Sequence, residues 1–313
     1  MRIAVVHHIP ANAQRWREGL ARELRDWEVE IWTESDIGAA DYAIGWAAPP
    51  APFFAQQRQL KAFFSTGAGV EKILASSGIP QNLPVIRLED AGMGIQMADY
   101  CIFEVLNWLR RRTEYAEQQR AGVWKSLPAQ DAASWPIGVF GFGVLGRQVA
   151  NAFVSLGFNV NAFARSAHHD ERITCYAETG GAGDFRAFMG ASRVLIILAP
   201  LTAATQDLFN RESLSLLPRG AYVINVARGG LLVEEDLVEV LNSDHLAGAA
   251  LDVFRQEPLP PTHPFWSHTR VRITPHVSAI TVIGPSARQV ADKIRRLERG
   301  EAVSGLVDRA RGY

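Results

Sequence analysis

The chain has 313 residues, 48% of them hydrophobic and 21% charged, which suits roughly two globular cores of about 150 residues each and argues against disorder as a major feature. Its 32 basic and 33 acidic residues leave a net charge of -1, so no global field draws it to nucleic acid or to an anionic membrane. Two cysteines, Cys101 and Cys175, are too few for a disulfide framework, no apolar run reaches membrane-spanning length, and the start MRIAVVHHIPANAQ lacks a signal-peptide pattern; a reducing, cytoplasmic setting is expected.

Short apolar runs alternate with helical patterns from the first residues. RIAVVH (2–7) reads as a buried strand, 13–25 as a helix, 28–33, 42–46 and LKAFFST (60–66) as further strands. A long helical pattern over 97–119, with apolar positions Cys101, Val105, Leu106 and Leu109, bridges to a second unit, and Arg110 to Arg112 read as a solvated helix end. Strands follow at 137–141, 159–163, 194–199, 222–226, 247–253 and 271–274, and a last helix over 286–299 returns to the first unit. The alternation predicts an α/β protein of two Rossmann-like or flavodoxin-like domains with parallel sheets, the second inserted into the first.

The second unit opens with WPIGVFGFGVLG (135–146). A lone G-x-G-x-x-G is a weak signal, but here Gly141, Gly143 and Gly146 directly follow an apolar strand and precede a helical repeat that stops at Gly157. The first glycine permits a tight turn, the second a close backbone approach to a pyrophosphate, and the third close packing of helix on strand. Amides at the helix start, including those of Val144 and Leu145, then favour a phosphate. A bare structural turn is the competing reading.

The end of the next strand bears on which dinucleotide fits. NAD sites place Asp or Glu about 20 residues beyond the glycines, whereas this chain has Ala164, Arg165 and Ser166 there. Nothing repels a 2'-phosphate, Arg165 offers a bidentate fork and Ser166 a further donor, so NADP(H) is expected over NAD(H), the alternative being a surface arginine in a loop. Histidine pairs His7/His8 and His168/His169 lack chelating spacing, the first because neighbours in a strand face opposite ways, and no metal is expected.

Downstream, Arg228 in VINVARGG, Glu257 in LDVFRQEPLP and His276 in ITPHVSAI stand beside strand ends. With STGAGVE (65–71), RLEDAGMG (87–94) and the closing VDRARGY, these motifs resemble the NAD(P)-dependent D-2-hydroxyacid dehydrogenase family from end to end, in particular its branch that reduces glyoxylate and hydroxypyruvate. The resemblance implies hydride transfer between a nicotinamide and the α-carbon of a short 2-keto or 2-hydroxy acid. Arg228 would bind the substrate carboxylate and polarise the keto oxygen. His276 would donate the proton, with Glu257 orienting the ring and keeping a proton available.

Further positions follow from the same likeness. Gly67, Ala68 and Gly69 precede Val70 and a predicted helix, so their amides could converge on a carboxylate or merely reverse the chain. Asp252 matches a position that contacts the nicotinamide carboxamide. Leu198, Ala199 and Pro200, with Val226 and Ala227, would line the cofactor groove or only pack. Trp46 would wall the substrate pocket or belong to the core. Where many members carry a Val-Ala-Glu-like signature this chain has Met97, Ala98 and Asp99, and no role is carried over.

The expected organisation is a substrate-binding domain from 1–97 with 282–313, a nucleotide-binding domain over 98–281, and a homodimer joined through the latter. A reductase of another 2-keto acid, such as phenylpyruvate or 2-ketogluconate, and a dinucleotide-responsive corepressor are the competing functions.

Overall fold

The structure is a computed structural model describing residues 1–34, 38–47, 49–76, 78–128 and 130–313. It forms two units, Met1–Met93 with Thr281–Tyr313, and Gly94–Ile280. In chain order the first part carries β1 (Arg2–Val6), α1 (Pro10–Glu23), β2 (Glu28–Ile31), β3 (Tyr42–Gly45), α2 (Ala51–Gln56), β4 (Ala62–Ser65), α3 (Glu71–Leu74) and β5 (Val85–Ile86). Then come α4 (Met93–Leu109), α5 (Arg112–Arg120), β6 (Ile137–Phe140), α6 (Val144–Ser155), β7 (Val160–Ala164), β8 (Ile173–Ala177), α7 (Gly181–Ala191) and β9 (Val194–Ile197). The rest comprises α8 (Arg211–Leu214), β10 (Ala221–Asn225), α9 (Glu234–Asn242), β11 (Leu246–Leu251), β12 (Val271–Ile273) and α10 (Ile283–Glu298).

The first unit is a parallel sheet in the order β2-β1-β3-β4-β5. Its central strands are apolar throughout because both faces are covered. Ala4, Val6, Ala43, Phe63 and Val85 pack with Phe53, Phe54 and Ile73 of α2 and α3. The alternate residues turn to the other face, where Tyr42 donates its hydroxyl to Glu298 of α10 at 2.7 Å. Helices α1 and α10 meet at Gly19, where a Cβ would lie 3.0 Å from Ile283 and 3.2 Å from Ala287. The end of the chain pairs with the β5 edge, Val307 donating to the Val85 carbonyl at 2.9 Å.

The second unit is a seven-stranded parallel sheet, β12-β11-β10-β9-β6-β7-β8. Phe140, Phe163, Leu195, Ile197, Val223 and Leu251 face α7, α8 and α9. Their alternates, among them Val139, Ala162, Ile196 and Ile224, face α4 and α6. The sheet is thus wound on both sides, and its order reverses at β6, the place where such sheets open a crevice beyond the strand ends.

Three expectations need correction. The helix predicted over 97–119 is two helices: Arg111 takes the left-handed conformation at φ 54° between α4 and α5. No glycine or proline announces the break, and α5 buries nothing, so periodicity could not see it. Of the apolar positions assigned to that helix, Cys101, Val105 and Leu109 are buried, but Leu106 is exposed. Finally, His7 and His8 lie just beyond β1 with their rings stacked 5.0 Å apart, not on opposite faces of a strand. Strands β5 and β8 were not predicted: the first has two residues, and the second, ITCYA, is an edge strand with little apolar signal.

Candidate active site

In the second unit the predicted site residues of the cofactor and catalytic sets lie beyond the C-terminal ends of adjacent parallel strands. Phe140 is in register with Ile197 and with Phe163, Ile197 with Asn225, Asn225 with Leu251, and Leu251 with Ile273. Reading across the sheet, His276 follows β12, Asp252 and Glu257 follow β11, and Arg228 follows β10. Next come Leu198 to Pro200 after β9, the glycine loop after β6, and Arg165 with Ser166 after β7. Five inter-strand steps of about 4.8 Å separate the ends of that row, about 24 Å in all.

The three glycines of the loop serve different ends. Gly141 has φ +109°, and a Cβ there would press on the backbone of Leu198 and Ala199. A Cβ on Gly146 would collide with the Gly141 carbonyl oxygen, so this glycine lets α6 start against the strand. Gly143, the N-cap of α6, has no heavy atom within 4 Å of a Cβ position. It is exposed, as is Val144, while Leu145 is half-buried. The chain's own packing does not require its smallness, and the space beside the start of α6 is open to solvent or to an anion.

Around it, Leu198 donates to the Phe140 carbonyl at 2.8 Å, and Val226 and Ala227 are buried. Thr205 Oγ1 donates to the Pro200 carbonyl at 2.7 Å. Arg165 and Ser166 are exposed on the loop after β7.

Arg228 is shaped by its neighbours. The buried Asn225 accepts the Ala227 amide at 3.1 Å and donates to the Arg228 carbonyl at 3.1 Å, stapling the turn after β10. Arg228 Nη1 donates to the Ala227 carbonyl at 2.6 Å. Gly229 lies so close to Phe254 that a Cβ would strike its carbonyl. The amide of that same Phe254 donates to Glu257 Oε1 at 3.0 Å, and Glu257 Oε2 meets His276 Nδ1 at 2.9 Å. Both side chains of this pair are about one-third exposed, His276 at 37% and Glu257 at 34%. Contacts thus run without a gap from the Arg228 turn to the imidazole.

The loop bearing His276 hangs on Asp252, whose exposure is 0%. Its carboxylate accepts the Thr274 hydroxyl at 2.6 Å and the amides of Val277 and Ser278, each at 2.8 Å. A buried carboxylate is costly unless so satisfied. The turn itself supplies the partners. Thr274 Oγ1 also meets the Tyr100 hydroxyl at 2.7 Å; since it donates to Asp252, it accepts from Tyr100. Sequence reasoning missed Asn225, Thr274 and Tyr100. The first two had a signal in being polar residues at the ends of apolar strands; Tyr100 on α4 had none.

In the first unit, Gly67, Ala68 and Gly69 follow β4, and the predicted helix is the single turn α3. The Gly67 amide is taken by Ser65 Oγ at 3.2 Å. Trp46 is half-buried with its indole laid over Gly67, where a Cβ would collide with the ring. Among the described residues no group of three or more His, Cys, Asp or Glu is arranged to hold a metal ion. No helix among them is long and apolar enough to cross a membrane.

The sequence pattern of the D-isomer specific 2-hydroxyacid dehydrogenase NAD-binding domain matches residues 102–278. Glyoxylate/hydroxypyruvate reductase A of Klebsiella pneumoniae subsp. pneumoniae is 42% identical over 314 residues, 99% of each chain. The structure of a D-isomer specific 2-hydroxyacid dehydrogenase from Xanthobacter autotrophicus Py2, in complex with NADPH and MES, superposes with a TM-score of 0.92 at 36% identity over 99% of each chain. That of an NADPH-dependent glyoxylate/hydroxypyruvate reductase from Sinorhizobium meliloti, in complex with NADP and sulfate, gives 0.92 at 32% identity, covering 100% of this chain and 99% of that one. The chain belongs to the D-isomer specific 2-hydroxyacid dehydrogenase family.

Proposed function

We propose that the protein reduces glyoxylate to glycolate and hydroxypyruvate to D-glycerate, with NADPH preferred over NADH as hydride donor. The observation that carries this reading is the row of residues along one sheet edge, from the open space at Gly143 to the Glu257–His276 pair. The full-length likeness to glyoxylate/hydroxypyruvate reductase A supports the choice of substrate.

The residues fit a dinucleotide. Gly141, Gly143, Val144, Leu145 and Gly146 would hold its pyrophosphate, Arg165 and Ser166 its 2'-phosphate, and Leu198 to Pro200 with Val226 and Ala227 would line its groove. When bound, the nicotinamide supplies the hydride. The chain's own work is to hold the acceptor and deliver a proton. Arg228 binds the substrate carboxylate and polarises the keto oxygen with a planar fork. Because Nδ1 of His276 is engaged by Glu257, Nε2 is the nitrogen left to protonate the forming alkoxide. Asp252 acts by fixing the loop around that histidine.

Trp46 and the Gly67-Ala68-Gly69 segment are proposed as substrate contacts in the first unit, which we read as the substrate-binding domain; the second is read as the NADP-binding domain. Exposed Phe103, Leu106 and Trp124 on the latter support a homodimer joined there. Free Cys101 and Cys175 support a cytoplasmic location.

The test is a steady-state panel of glyoxylate, hydroxypyruvate, phenylpyruvate and 2-ketogluconate with both reduced cofactors. Highest kcat/KM for the two- and three-carbon acids with NADPH is expected. A preference for a longer acid, or for NADH, would replace the corresponding half of the proposal.

A further inference from the structure

Resting on the reading that the cofactor is NADPH, we infer that Arg147 and His168 form a second, unrecognised leg of the 2'-phosphate clamp and so contribute to cofactor specificity. Arg147 stands one turn into α6, its amide bonded to the Gly143 carbonyl at 2.9 Å. Helical side chains lean toward the N-terminus, which carries this guanidinium back to the mouth of the glycine loop. There it lies over the Phe142 ring, 4.6 Å from the centroid. Its Nη2 meets His168 Nδ1 at 2.9 Å, and the His168 ring stands edge-on to Phe142 at 5.8 Å.

This is a fixed cation and not a loose surface arginine. The aromatic ring holds its plane and the imidazole holds one edge, yet the residue stays exposed, so its remaining donors are open to solvent or a ligand. Arginine can only donate, so the contact makes Nδ1 the acceptor and leaves the neutral ring's proton on Nε2, a further donor. His168 is three residues beyond Arg165 on the same loop after β7. Through its bond to His168, Arg147 of α6 thus reaches the β7 loop that also carries Arg165, the loop beside which the ribose of a bound dinucleotide sits in such folds. A phosphate monoester bears about two negative charges near neutral pH. One arginine matches half of that; two with an imidazole donor match it fully.

The test is calorimetric binding of NADPH, NADH, 2',5'-ADP and 5'-AMP to wild type, Arg165→Ala, Arg147→Ala, Arg147→Lys, His168→Ala and His168→Gln. Arg147→Ala is expected to weaken NADPH and 2',5'-ADP about tenfold and to change NADH and 5'-AMP by less than about twofold. Arg147→Lys, which keeps the charge but not the fork, falls between. His168→Ala gives a smaller loss that His168→Gln partly restores, because its amide oxygen can still accept from Arg147. If Arg147→Ala leaves every ligand unchanged, or weakens all four alike through damage to the glycine loop, the inference is wrong even where Arg165→Ala lowers the NADPH preference. If wild type itself binds NADH as well as NADPH, the underlying reading of the cofactor fails, and this inference with it.

Discussion

Asp252 grips His276 through the backbone: its carbonyl accepts the His276 amide at 2.9 Å, while its buried carboxylate takes the amides of the next two residues. His276 needs the grip because it sits at φ 56°, a left-handed conformation that costs a non-glycine residue about 1 kcal/mol or more. Asp252→Asn turns one acceptor into a donor facing donors. We expect kcat to fall about 10- to 100-fold as charge-assisted bonds of about 1.5–3 kcal/mol are lost, with the Kd for NADPH changed far less. Steady-state kinetics beside calorimetry checks this; equal losses in both would mean general unfolding of the edge.

His276→Asn should depress kcat about 100-fold or more, the usual contribution of a positioned acid, and leave NADPH binding intact. Glu257→Gln should cost less, because an amide oxygen can still receive the Phe254 amide or the imidazole N–H, though not with a full charge. The order of the two losses is the check. Should Glu257→Gln prove the more damaging, the carboxylate does more than orient the ring.

The glycines of the loop make opposite predictions under one substitution. Gly143→Ala meets open space, so the fold should keep its melting temperature while NADPH binding weakens about tenfold or more, the methyl standing where the pyrophosphate approaches. Gly146→Ala meets the Gly141 carbonyl and should destabilise the unit by roughly 1–3 kcal/mol. Thermal denaturation with and without NADPH separates the two. Loss of stability in Gly143→Ala would remove the reading of that gap as a ligand site.

Much of this site could be read from residue chemistry. Strand ends are visible where an apolar run stops at Gly141, Arg165, Arg228 or His276, and parallel topology then sends all those ends to one edge. What escaped detection depends on tertiary contact. Arg111 is a good helix former that adopts a left-handed turn; β8 is held by pairing with β7 over a sequence with little apolar signal. Asp252 was legible as a buried charge, but its three donors come from residues 22 to 26 positions away, and no spacing rule supplies them.

Trp46 lies over Gly67, close enough that a Cβ there would meet the ring; on the proposed reading this indole limits the size of the substrate. Trp46→Ala removes the indole and should raise kcat/KM for longer 2-keto acids relative to glyoxylate, by several-fold on the scale of a few methylenes of apolar contact. A substrate panel decides it. An unchanged preference would return Trp46 to a packing role.

Glu89 and Lys293 make the last prediction, one of stability. Lys293 of α10 is buried with its ammonium on the Arg87 carbonyl and on Glu89 Oε2, both at 3.1 Å, while Gln289 brackets the Glu89 backbone. Burial pulls the Lys293 ammonium below its usual pKa, and the Glu89 bond only partly restores it. Burial also pushes the Glu89 carboxyl up, but bonds from Ser304 and Lys293 and the charges of Lys293 and Arg87 outweigh this and leave it below the ordinary carboxylate value. A carboxyl depressed by folding adds stability that is complete above its unfolded pKa and is lost as pH falls through its folded pKa. Lys293→Met should therefore cost about 3 kcal/mol at neutral pH by stranding a carboxylate, and adding Glu89→Gln should restore most of it. In urea denaturation across pH, the gap between wild type and Glu89→Gln should close on the acid side; a gap independent of pH would show that the carboxylate's charge contributes nothing to holding α10.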